Sequence, residues 1–206
     1  MNGNTVITIG RQFGSGGRQV GKKLADKLGI AFYDKELIEI AAMESGMSKK
    51  LLESADEKPT NSFLYSLSIL GNGFSPMADM PINDKLFFDQ SNVIKRVAQE
   101  GSCVIVGRCA DYILRENPRC VNVFLTADDA DRIGRIRRRQ GCTAEEARAM
   151  MERVDARRAS YYNYYSSRTW GEAATYHLCV STSPLGDEGT ADFILEFAAR
   201  KLNMKF

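Results

Sequence analysis

The chain has 206 residues, a formal net charge of +2, 44% hydrophobic residues and 26% charged ones. That length suits one α/β domain with an ample core, and the near-balanced charge excludes a protein that binds polyanions along its whole surface. There is no apolar run of 18 residues and no N-terminal apolar signal region, which argues against membrane spanning and secretion. The five cysteines, Cys103, Cys109, Cys120, Cys142 and Cys179, form no C-x-x-C pair. Their odd number and scattered spacing predict reduced thiols in a cytoplasmic protein, with no metal centre.

In chain order, Thr5–Ile9 is a short β-branched apolar run that reads as a buried strand. Gly10-Arg11-Gln12-Phe13-Gly14-Ser15-Gly16-Gly17-Arg18-Gln19 follows. Val20, Leu24, Ala25 and Leu28 then fall at helical spacing, with Lys22, Lys23, Asp26 and Lys27 on the opposite face. Strand, glycine-rich turn and helix are the context in which such a loop binds phosphate. Glycines let the backbone wrap an anion, and the helix aims free N–H groups and its positive dipole end at it. A standard loop of this kind ends G-K-[ST]. Here Gly17 stands at the lysine position and Arg18 at the hydroxyl position, unless one extra residue lets Arg18 act as the cation. The bland alternative is a glycine-rich turn that binds nothing.

Gly29 is placed to cap the first helix, and Ile30–Tyr33 reads as a second strand. Asp34 opens a helix with Leu37, Ile38, Ala41 and Ala42 on its apolar face. Residues from about 45 to 82 are the least regular part, with a short helix predicted from Ser48 to Ser54, and read as an insertion on the substrate side or a helical hairpin kept for stability. A helix follows from Asn83 to Gly101, lined by Leu86, Val93, Ile94 and Val97. Strands are expected at Cys103–Val106, Val121–Leu125 and His177–Ser181, and a terminal helix from Thr190 carrying Phe193, Ile194, Phe197 and Ala198. Alternating strands and helices imply a mostly parallel sheet covered on both faces, with ligands at the strand carboxyl ends. The loop after Ile9, Asp34 and Gly107-Arg108 all fall at such ends.

Charge concentrates between Arg132 and Arg168, where ten arginines face four acids, locally about +6 against about −4 elsewhere. Thr143-Ala144-Glu145-Glu146 is a capping box that starts a long helix. Arg132, Arg135 and Arg139 share one helix face, and Arg153, Arg157 and Arg158 occupy neighbouring turns of the next. Two such helices flanking Gly141 suit a lid that closes on phosphates, because guanidinium forks bind phosphate oxygens in pairs. A solvated face is the plain alternative. Nucleic acid is the weakest, since no reading motif accompanies the patch. His177, the one histidine, reads as structural, and Tyr161, Tyr162, Tyr164 and Tyr165 read as packing residues before base-stacking ones.

The opening Ile7–Arg18, the stretch Val104-Ile105-Val106-Gly107-Arg108-Cys109-Ala110-Asp111-Tyr112-Ile113-Leu114, and Asp155–Tyr162 with Trp170-Gly171 and Ser181–Ser183 together resemble the cytidylate kinase-like family, a branch of the P-loop nucleoside monophosphate kinases. The resemblance runs nearly end to end. It implies a single domain over residues 1–206 with a three-layer α/β/α P-loop fold and a five-stranded parallel sheet. It also implies a nucleoside monophosphate-binding insertion over about 35–82 and an arginine-rich helical lid over about 132–168. Cys109 stands where cytidylate kinases carry Asp in G-R-D-x-G-T, and their lid motif R-D-x-x-D-x-x-R is matched only in part by Arg153-x-Asp155 or Asp155-x-x-Arg158. The expected activity is ATP-dependent phosphoryl transfer to a nucleoside monophosphate, CMP or dCMP first, or to a similar small phosphate acceptor. The alternative is a catalytically weak nucleotide-binding sensor with a divergent loop. Expected donor contacts are Gly10, Gly14, Ser15, Gly16, Gly17, Arg18 and Gln19. Arg18, Arg153, Arg157 and Arg158 are the expected catalytic cations, and Asp34, Arg108 and Asp111 the expected acceptor residues. The expected cofactors are ATP and Mg2+, with the ion held by phosphates and water and not by a protein site.

Overall fold

The computed structural model describes residues 3–34, 40 and 82–203. The expected helix after Asp34, the short helix at Ser48–Ser54 and nearly all of the proposed insertion lie outside the described residues. The elements are β1 (Val6–Arg11), α1 (Gly17–Leu28), β2 (Ala31–Tyr33), α2 (Ile82–Glu100), β3 (Cys103–Val106), α3 (Ala110–Ile113), β4 (Cys120–Thr126), α4 (Asp129–Gln140), α5 (Ala144–Ser166), β5 (Leu178–Ser181) and α6 (Gly186–Leu202).

The strands form one parallel sheet in the order β2-β3-β1-β4-β5. Side chains alternate across a strand, so each strand serves two cores. Ile7, Ile9, Val104, Val106, Val121 and Val123 meet Val20 and Leu24 of α1 and Ala191, Ile194 and Ala198 of α6 on one face. Val6, Cys103, Ile105 and Cys120 meet Val93, Ile94 and Val97 of α2 and Ala110 of α3 on the other. Burial on both faces explains why the strands read as unbroken apolar runs. Thr8 and Asn122, the polar residues on the α2 face, satisfy each other through a 2.8 Å hydrogen bond.

The register sets the site. Ile9 is beside Val106 on β3 and Val123 on β4, so β1 ends against the turns that follow both neighbours. α4 and α5 form a helical hairpin at that end. Gly141 closes α4 in a left-handed conformation, and the Thr143–Glu146 capping box opens α5 as the sequence predicts. Ile136, Ala147 and Met151 make the hairpin's own small core, and Phe13 of the glycine-rich loop packs against it.

Two expectations need correction. α6 begins at Gly186, a full turn before Thr190. The Thr190 hydroxyl does not cap the helix from outside; it turns back and donates to the Gly186 carbonyl at 2.6 Å. Phe193, expected on the apolar face, is 45% exposed, whereas Ile194 and Ala198 are buried.

Candidate functional site

Residues 12–16 join β1 to α1. Gly14 and Gly16 have φ of 82° and 85°, which a side chain disfavours, and Gly16 caps α1 with no side-chain hydrogen bond. The first turn of α1 holds no acid. Its leading N–H groups have no intrahelical acceptors, so the helix presents an open, electropositive end.

Other elements brace this loop closely. The Thr182 hydroxyl donates to the Ser15 carbonyl at 2.7 Å, and Arg135 bonds the Thr182 hydroxyl at 3.0 Å and Asp187 at 2.9 Å. Asp155 accepts the Phe13 N–H at 2.7 Å and pairs with Arg132, whose Nε donates to the Phe13 carbonyl at 2.8 Å. Arg132 is 5% exposed in its side chain, so the pair is a buried tie between α4, α5 and the loop. The Ser15 hydroxyl donates to the Gln12 carbonyl at 2.8 Å and is committed to holding the turn.

Arg11, the last residue of β1, was not singled out by the sequence reading. Its side chain runs along Gly17: a Cβ on Gly17 would lie 2.7 Å from the Arg11 Cβ and 3.0 Å from its Cγ. Its guanidinium reaches the turn after β3, where a Cβ on Gly107 would fall inside it. In that turn Gly107, Arg108 and Cys109 all have positive φ, 83°, 60° and 52°. Two successive non-glycine residues in that region store of order 1 kcal/mol each, as is common at functional sites. The turn buries Arg108 to 6% exposure, and burial lowers its pKa to about 10, with Tyr161 and Asp34 acting to raise it.

Gly10, Arg11, Gly107, Arg108, Asp111 and Arg158 line one small cavity, together with an aromatic wall that includes Tyr161, Tyr162 and Trp170. Arg158 enters from α5 and donates to the Arg11 carbonyl at 3.2 Å. Asp111 is buried and accepts the Tyr162 hydroxyl at 2.7 Å; burial raises its pKa against that hydrogen bond. Arg18 is 55% exposed in its side chain, with Nε 2.8 Å from Asp34 Oδ2 and its guanidinium over the Phe32 ring. Gln19, Arg153 and Arg157 are exposed. The structure therefore gathers Arg108, Arg158 and Asp111 with the loop, pairs Arg18 with Asp34, and leaves Arg153 and Arg157 facing solvent. Of the four tyrosines, Tyr161 and Tyr162 are buried and Phe87 stacks on Tyr165 at 4.0 Å, whereas Tyr164 is 41% exposed with its ring edge-on to Tyr165.

The signature of the cytidylate kinase-like family matches residues 6–184, and the chain belongs to that family. It is 34% identical to an uncharacterized protein from Eubacterium ventriosum of known crystal structure, covering 96% of this chain and 99% of that one at a TM-score of 0.73. The shikimate kinase from Bacteroides thetaiotaomicron shares 15% identity over 97% of this chain and 99% of that one, at a TM-score of 0.55. The shikimate kinase from Acinetobacter baumannii in complex with shikimate shares 14% over 97% and 94%, at 0.50. These two share the P-loop kinase fold with this chain. No curated protein matches the sequence.

The described residues fit a nucleotide's phosphates. They offer an uncapped helix end, glycines in a wrapped conformation, and guanidiniums at the adjoining strand ends. Among the described residues no group of three acidic, His or Cys side chains could hold a metal ion. No described helix is long and apolar enough to cross a membrane.

Proposed function

We propose that the protein transfers the γ-phosphoryl group of ATP to a small phosphate-bearing acceptor, with a nucleoside monophosphate such as CMP or dCMP as the first substrate to test. The observation that carries this reading is the buried Arg108, held in a strained turn beside the glycine-rich loop and facing Arg11 and Arg158 in one cavity. A buried cation that retains its charge is matched to an anionic ligand, and guanidinium geometry is matched to phosphate. The loop N–H groups would hold the donor phosphates, Arg108 the acceptor phosphate, and Arg158 the charge that spreads over the transferring group. Bound magnesium would supply neutralisation of the donor phosphates. Asp111 would hold Tyr162 and so the aromatic wall.

In this reading residues 1–206 form one domain. Residues 35–82 serve the acceptor and 132–168 act as the lid, with Arg153 and Arg157 turning inward only when the lid closes. Asp34 and Arg18 stand between the donor loop and the acceptor. The buried positions of Cys103, Cys109 and Cys120, all free thiols, suit a reducing cytoplasm.

The second reading, a nucleotide-binding sensor with little turnover, is favoured by one observation. Gly17 and Arg18 stand where a standard loop carries its lysine and its magnesium-binding hydroxyl, so neither of those side chains is present at its usual position.

The test is calorimetric titration of ATP and of CMP, dCMP and UMP, followed by coupled ADP release for each pair that binds. Arg108→Ala is expected to weaken monophosphate binding by roughly 2–3 kcal/mol with little change for ATP. Equal losses for both ligands would remove Arg108 from the acceptor side. ATP binding without ADP release from any acceptor would favour the sensor.

A further inference from the structure

The glycine at position 17 and the arginine at position 11 are one feature. In an ordinary phosphate loop a lysine at the first helical residue sends its ammonium over the bound phosphates. Here that residue has no side chain, and the stem of Arg11 lies across it, with Cβ and Cγ 2.7 and 3.0 Å from where a Gly17 Cβ would sit. The two atoms nearest Gly17 are the first two of the Arg11 side chain, so a flexible tip cannot swing aside to make room. A side chain at 17 and one at 11 exclude each other. The Arg11 guanidinium continues to Gly107, on the lip shared by the loop and the Arg108 turn. Its backbone is fixed by the sheet, where Arg11 pairs with Leu125, and its carbonyl is held by Arg158.

We infer that Arg11 is the resident phosphate-binding cation of this loop, occupying from the strand side the space a lysine at 17 would occupy from the helix side. The inference rests on the proposal that the loop binds ATP. It transfers to Arg11 the role that the sequence expectation gave Arg18, whose guanidinium is engaged with Asp34. It also explains the glycine, which neither loop curvature nor helix propensity requires: Gly17 is the first residue of α1, and its φ is not positive.

The test is an exchange of the cation between the two positions, read by calorimetric titration of ATP and of inorganic tripolyphosphate into the full chain. Arg11→Gln keeps an extended stem without charge and is expected to weaken both ligands about ten- to a hundredfold, the loss of a charge-assisted contact. Arg18→Gln is expected to cost less. Gly17→Lys alone is expected to lower the melting temperature by several degrees, because its Cβ meets Arg11. Arg11→Gly/Gly17→Lys removes the opposing Cβ and is expected to restore melting and at least part of the affinity. Glycine is needed at 11 because any Cβ there remains in the way. Circular dichroism of each variant separates loss of binding from loss of fold, and Arg11→Lys serves as the charged control.

Parent-like binding by a folded Arg11→Gln, a larger loss from Arg18→Gln, or no recovery in a folded double variant would each overturn the assignment of Arg11 alone. A parent protein that binds neither ATP nor tripolyphosphate would overturn the loop's donor role, and the Arg11 inference with it.

Discussion

His177 is the sole histidine, and its environment can be read without ambiguity. Its Nδ1 accepts the Asn122 N–H at 2.9 Å, which requires that nitrogen to be unprotonated. Burial first, and then Lys201, lowers its pKa below the usual 6.5. A depressed histidine favours the unfolded state once protons are added, so the stability it contributes is present above pH 6.5 and is lost as pH falls below that value. Proton NMR of the single imidazole should give a midpoint below 6.5. A midpoint at or above 6.5 would mean that the Asn122 contact does not form. The cysteines make a second residue-scale prediction. Burial pushes Cys103 and Cys120 up to about 12, whereas Cys142 and Cys179 reach the surface. Iodoacetamide at pH 8 should label Cys142 and Cys179 in the native protein and Cys103, Cys109 and Cys120 only after unfolding, as peptide mass spectrometry would show.

Among the elements, the α4–α5 hairpin is the least ordinary, since it is fastened to the loop by a buried ion pair. Asp155→Ala would leave the buried Arg132 with only the exposed Asp129 carboxylate, 3.5 Å away, and the Phe13 N–H without its acceptor. The expected loss is about 3 kcal/mol by urea unfolding, the range for breaking a buried pair from one side. A loss near 0.5 kcal/mol would make the pair equivalent to a surface contact. Arg132→Met/Asp155→Leu should recover most of the stability while loosening the loop, since Phe13 then loses both side-chain partners.

Element by element, what was legible in the sequence was local. Cys103–Val106 is a strand because four buried β-branched or small residues stand between Gly101 and Gly107, and α5 starts where Thr143 and Glu146 can bond each other's backbones. Gly29 announces the end of α1 because a left-handed residue closes it. Thr190 reads as the start of α6 because the Gly186-Asp187-Glu188-Gly189 turn before it carries no apolar residue to mark the helix. Within the site, Arg108 was visible as an arginine at a strand end. Arg132 with Asp155 was not, because 23 positions separate them and only the closed hairpin brings them together. Arg11 was missed although a signal was present: an arginine directly after a buried strand, with glycine where the loop's lysine belongs.

At the scale of the whole molecule, a parallel sheet with covered faces leaves the carboxyl ends of its strands as the place where chemistry can be assembled. β1 supplies the loop and Arg11, β2 leads to Asp34, β3 leads to Arg108, and the hairpin after β4 brings Arg158 over the same edge. These segments lie far apart in sequence and meet only because β1 lies between β3 and β4. A ligand bridging them should couple their stabilities. Saturating ATP at about a hundred times its dissociation constant should add roughly 2.7 kcal/mol to global stability. Hydrogen exchange should slow in the loop, at the start of α1 and in α5 together. Slowing confined to the loop would mean that the hairpin is no lid.

Phosphorus NMR of the intact protein with ATP, magnesium and one nucleoside monophosphate at a time reads phosphoryl transfer at this edge directly. The β- and α-phosphate signals of ADP and of a new nucleoside diphosphate should grow together at equal rates, with CMP or dCMP fastest, and Arg108→Ala should slow the growth at subsaturating acceptor. ATP that binds yet stays intact beside every acceptor, or is hydrolysed to inorganic phosphate with no diphosphate product, would contradict the proposed transfer.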